Sequence, residues 1–262
     1  QPNTNPIPCI CVPSTYRTPF VFTNSVPITD SRSNQIKLMK VQKNLCKLVL
    51  YDPNTSLSLS ANQKTTIAIE LIAMAVEAYL SQKANFFSDM FVEKGLELLT
   101  YALDGSPSLD ITTPEEILFA QAGTMISLAT TSSSLGLSSL LSLTINSRYK
   151  MLKSLVSSIL LPYMIEDVVK YKSTKIAKLA KIMKCVQKDE AETLSEEELC
   201  KAFIDSVRER IAKANLPTRL KDLNLTIEQL SLAVEDVKEI DFVNTLPRSM
   251  STDDIFDFIK LA

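Results

Sequence analysis

The sequence predicts a mainly α protein, with an all-helical body over residues 54–262 and a short β-rich segment over residues 1–53. Three observations carry this expectation. Helix-start signatures recur along the body. The apolar residues between them recur at spacings of three and four. The first fifty residues instead hold short β-branched, aromatic or otherwise apolar runs, broken by Pro, Asn, Ser and Asp.

Ile7–Val12, Phe20–Ile28, Ile36–Val41 and Cys46–Tyr51 read as strands, partly paired as hairpins and ending at Asp52-Pro53. Beyond them, Ser60-x-x-Gln63, Thr113-Pro114-Glu115-Glu116, Ser195-x-x-Glu198 and Thr226-x-x-Gln229 fit the capping box. There a hydroxyl takes one orphan amide at a helix start and the side chain three residues on takes another. Pro114 also suits the first helical position. Ser251 or Thr252, followed by Asp253 and Asp254, starts a last short helix. The helices predicted from these starts cover 61–82, 86–103, 114–131, 134–145, 150–169, 174–187, 196–213, 227–238 and 252–261. Leu71, Met74, Ala75 and Ala78 line one face of the first; Leu199, Phe203, Val207 and Ile211 line a later one. No repeat period and no low-complexity linker divides the helical part.

Composition narrows the function. The net charge of −2 offers no concentrated basic field, so nucleic acid is not an expected partner. The chain has no histidine and only four glycines, the first being Gly95. It therefore lacks the side chain best suited to proton transfer near neutral pH and to transition metals. It has little of the residue that lets backbone approach a phosphate. The five cysteines show no repeated spacing and read as buried free thiols of a reducing compartment. Cys9-x-Cys11 puts two thiols on one strand face, short of the four ligands of a zinc site. Asn54-Thr55-Ser56 and Asn224-Leu225-Thr226 match the glycosylation sequon without other signs of secretion. The stretch Ala120–Ser147 carries no charge, but its Ser and Thr content and Gly136 favour buried helices over a membrane span. A start without Met reads as a processed or truncated end. The expected setting is intracellular, with a mitochondrial or other organellar place open to a processed chain.

Three segments in order resemble the iron-containing (group III) alcohol dehydrogenase family, relatives of glycerol dehydrogenase. The first is Asp52-Pro53, Ser56–Ser60 and the helix Thr66–Ser81, ending Val76-Glu77-Ala78-Tyr79-Leu80-Ser81 before Ala84-Asn85 and Ser88-Asp89. The second is Leu135-Gly136-Leu137 with Ile159-Leu160-Leu161-Pro162. The third is Leu216-Pro217-Thr218-Arg219-Leu220, Leu225-Thr226, and Pro247-Arg248 before Thr252-Asp253-Asp254-Ile255. The resemblance implies the helical, dehydroquinate-synthase-like half of a two-domain fold, with residues 1–53 a remnant of the nucleotide-binding half.

It also implies two losses. The family's glycine-containing cofactor segment falls on Val12–Val21, where Ser14, Thr15, Arg17, Thr18 and Pro19 stand and both glycines are gone. Arg17 and Phe20 bring bulk to where a dinucleotide lies, and Pro19 removes a donor. The family's metal-binding Asp and three His fall on Glu70, Met74, Ser139 and Lys153, with a further nearby His position on Leu143. Neither metal nor cofactor is expected. Glu70 has either a local helix partner or Lys153, whose ammonium would stand in for the lost metal charge. Arg17 reads as a surface charge or a contact to a partner chain; Met74 and Leu143 read as core filling. Without histidine Ser139 lacks a triad base, and a Ser139–Lys153 pair is the remaining nucleophile arrangement. The lysines 172, 175, 178, 181 and 184 read as a solvated face, with an acidic partner or lipid headgroups as the alternative. The expected function is that of a non-catalytic structural or accessory subunit, whose partners are other protein chains of a larger assembly. The alternatives are a metal-dependent oxidoreductase whose cofactor half sits on another chain, and a small-molecule binding module in the old cleft.

Overall fold

The computed structural model describes residues 7–41, 46–105 and 112–262. Among these the chain forms four short strands and eight α-helices. The strands are β1 (Ile10–Cys11), β2 (Ser25–Thr29), β3 (Ile36–Lys40) and β4 (Leu48–Val49). The helices are α1 (Ala61–Leu80), α2 (Phe86–Asp104), α3 (Glu115–Ser132), α4 (Leu137–Tyr149), α5 (Lys153–Ile182), α6 (Glu196–Lys213), α7 (Ile227–Lys238) and α8 (Thr252–Leu261).

β2 and β3 form an antiparallel hairpin, in register from Ser25↔Lys40 to Thr29↔Ile36. Its turn is set by Asp30, whose carboxylate accepts from the Arg32 amide at 2.8 Å, and by Asn34 at a φ of 56°. β1 and β4 pair in parallel, Ile10 opposite Leu48 and Cys11 opposite Val49. The predicted strand Phe20–Ile28 is shorter than expected. Phe20–Asn24 turns instead, with the Val21 amide donating to Thr18 O and the Thr23 amide to Phe20 O.

The helix starts follow local chemistry. Ser60/Gln63, Ser195/Glu198, Thr226/Gln229 and Ser251/Asp254 make reciprocal capping boxes. Asn85 with Ser88 makes another, which the sequence reading missed. The predicted cap at Thr113 does not form. α3 starts after Pro114 with no side-chain cap, and Glu115 and Glu116 supply the acidic first turn that favours a helix N-terminus.

The two helices expected over 150–169 and 174–187 lie along α5, which breaks between them at the non-helical Lys172 (φ −140°, ψ 36°). No Pro or Gly lies between Tyr163 and Ile182, so the kink at Lys172 has neither as its cause. The predicted helix 134–145 starts later, at Leu137, and runs on to Tyr149, where Lys150 takes the left-handed conformation at its end.

α1 is the axis of the core. All fourteen residues from Ile67 to Leu80 are buried, so its apolar coat is not one face but the whole circumference. α2, α3 and α5 pack around it. The N-terminal segment is part of the same core: Tyr16 and Ile36 are buried among the helices. Tyr16 stacks on Phe119 of α3 at 5.2 Å. Its backbone oxygen lies so close to Gly123 that a Cβ there would clash with it. Farther on, Thr29 Oγ1 meets Ser147 Oγ at 2.9 Å, and Gln35 donates to Asp236 at 3.0 Å. Asp236 also takes a bidentate pair from Arg148 at 2.5 and 2.8 Å, joining the hairpin turn, α4 and α7. The uncharged stretch Ala120–Ser147 forms α3 and α4, meeting at 98°, and most of it is buried in this core. Among the described residues no single helix is long and apolar enough to cross a membrane.

Candidate functional site

Glu70, Met74 and Glu77 follow one another at spacings of four and three on α1, so they share a face. That face meets the segment after β1 at one end and the start of α4 at the other.

At the first end Arg17 Nη1 donates to Glu70 Oε2 in a close ion pair. The Glu70 side chain is 9% exposed and that of Arg17 is 26% exposed. A carboxylate so placed needs a partner to offset the hydration it has lost, and Arg17 supplies it. Arg17 is therefore not a lone surface charge. Thr18, the next residue, bonds through Oγ1 to the Tyr51 hydroxyl and, at 3.1 Å, to Ser127 Oγ. Burial pushes the Tyr51 phenol above its ordinary pKa. The Tyr16 hydroxyl bonds to Ser56 Oγ, and burial likewise raises its pKa. Ser14 is exposed, while Thr15 and Pro19 are half-buried. The segment Ser14–Pro19 is thus stitched to the helices by side chains instead of following a glycine turn.

At the second end Glu77 is fully buried. Its carboxylate accepts from the Ser139 amide at 2.9 Å and the Ser139 hydroxyl at 2.5 Å, with Gly136 and Ser138 amides also turned to it. It takes the orphan donors at the N-terminus of α4, where a negative charge is favoured. Burial pushes its pKa up, and those donors pull the other way. A Cβ at Gly136 would stand 2.7 Å from Glu77 Cγ, so only glycine lets the start of α4 approach α1 this closely.

Between the ends, Met74 is buried in the core, and Leu143 lies in the same cluster. Lys153 opens α5 and is half-buried. Among the described residues it makes no ion pair with Glu70, whose partner is Arg17 in place of either a local helix residue or Lys153. The Ser139–Lys153 arrangement does not form either, because the Ser139 hydroxyl is given to Glu77. The lysine row is also corrected. Lys175 bonds to Asp89 at 2.9 Å and lies 4.3 Å from the Tyr79 ring centre; Lys178 meets Glu93 at 2.5 Å. Lys184 lies over Tyr101. Lys175 and Lys178 tie α5 to Asp89 and Glu93 of α2, so the row is not a purely solvated stripe. Tyr79 gives its hydroxyl to Glu93, and its pKa is raised by burial and then by that carboxylate.

A family model described as "Fe-containing alcohol dehydrogenase family, C-terminal" matches residues 65–262. The chain belongs to the iron-containing alcohol dehydrogenase family. No curated protein matches it in sequence. Solved structures match it in fold. An alcohol dehydrogenase from Oenococcus oeni superposes with a TM-score of 0.87 at 20% identity, over 100% of this chain and 68% of that one. A 1,3-propanediol oxidoreductase gives 0.86 at 20% identity, over 98% and 67%. A maleylacetate reductase from Rhizobium sp. strain MTP-10005 gives 0.72 at 20%, over 97% and 67%. The chain thus spans about two thirds of the length of these proteins.

A divalent ion at the positions the resemblance assigns would meet Glu70, Met74, Ser139 and Lys153. These side chains do not fit it. Glu70 is engaged by a guanidinium, whose charge opposes a second cation. Met74 offers a soft thioether ill matched to iron. The hydroxyl of Ser139 is committed to Glu77, and Lys153 brings an ammonium. Among the described residues no group of three His, Cys, Asp or Glu side chains is arranged to hold a metal ion.

Proposed function

We propose that this chain is a non-catalytic member of the iron-containing alcohol dehydrogenase family, working as a structural or accessory subunit of a larger protein assembly. The Arg17–Glu70 pair supports this reading. One residue of the former cofactor segment reaches the former metal-ligand position and fills its charge requirement from within the chain. The helical core and its caps are kept while the chemistry is replaced, which is what selection on shape alone leaves.

The surface such a subunit offers is at its N-terminal strands. β1 and β4 are a two-residue parallel pair, and Ile10, Val12, Leu48 and Leu50 beside it are exposed apolar residues. Parallel strands ordinarily lie buried on both faces. The same strands favour a second reading, an oxidoreductase whose cofactor-binding half comes from another chain.

One experiment separates the two. The protein is purified from its native source with whatever accompanies it, its metal is measured, and alcohol oxidation is assayed with added nicotinamide cofactors. The subunit reading expects a defined complex larger than the 29.1 kDa chain, no iron or zinc in it beyond background, and no turnover. One metal per chain together with turnover overturns it, and so does a chain that runs alone.

A further inference from the structure

We draw no further inference here: the strongest candidate, the outward face of the β1–β4 pair, where the register puts the exposed side chains of Ile10, Val12, Leu48 and Leu50 side by side, is an unpartnered apolar face, and nothing in the structure shows what covers it.

Discussion

At the scale of single residues, the Arg17–Glu70 pair carries two consequences that can be measured. Removing one partner of a largely buried ion pair strands the other charge, while replacing both with apolar groups does not. Arg17→Ala should therefore destabilise the chain by about 2 kcal/mol in urea unfolding, less than for a fully buried pair because Arg17 is partly exposed. The double variant Arg17→Met, Glu70→Met should recover most of that loss; if it unfolds as readily as Arg17→Ala, the charge account is wrong. Glu77 makes the second residue-scale case. Its folded pKa lies above the ordinary value of 4.5, so the folded state holds the proton more tightly than the unfolded chain does. Its contribution is therefore full below about 4.5 and is lost as pH rises through the folded value. Glu77→Gln should flatten that decline across the acidic range. A wild-type and Gln variant with the same slope of stability against pH would remove Glu77 as its cause.

At the scale of elements, the close approach of the Tyr16 segment to α3 depends on Gly123. A Cβ there clashes with the Tyr16 backbone oxygen, and backbone cannot turn aside as a side chain can. Gly123→Ala should cost about 2 kcal/mol or more, although alanine is the better helix former by about 1 kcal/mol. Equal or raised stability would mean that the segment does not lie against α3. Helix starts of this kind were legible in the sequence. Ser60/Gln63, Ser195/Glu198 and Thr226/Gln229 lie within four residues of each other and need nothing distant to form. The break in α5 at Lys172 was legible as well, falling in the gap between the helices predicted over 150–169 and 174–187. The Arg17–Glu70 contact was hidden, its partners being 53 residues apart. Lys153 was the sequence's own candidate for Glu70 because both were taken as parts of one ligand set, while Arg17 was taken as part of another segment. Glu77 stood in plain view beside Gly136 in the pattern of motifs, yet nothing local announces that one caps the helix begun by the other.

At the scale of the whole molecule, the division at residue 53 that the sequence suggests becomes a question of cooperativity. The N-terminal segment does not lie on the helical body as a separate layer. Tyr16 and Ile36 are in the same buried cluster as α1, and Arg17, Thr29 and Gln35 each bond to a helix or to a residue on one. Segments that share one core unfold together, whereas separate domains need not. The chain has no tryptophan but seven tyrosines, and Tyr16 and Tyr51 report on the N-terminal segment. Urea unfolding followed by circular dichroism reads the helices. Nitration of Tyr16, or its replacement by tryptophan, gives a probe on the other side of the boundary. One transition with a common midpoint is the expected outcome, and a shortened chain over residues 54–262 should lose the packing of Tyr16 on Phe119 and expose α3. Two separated transitions, with the helical signal surviving loss of the Tyr16 signal, would mean that the first 53 residues are an appendage. The Arg17–Glu70 pair would then be a contact between two bodies, not the internal charge closure that the functional reading rests on.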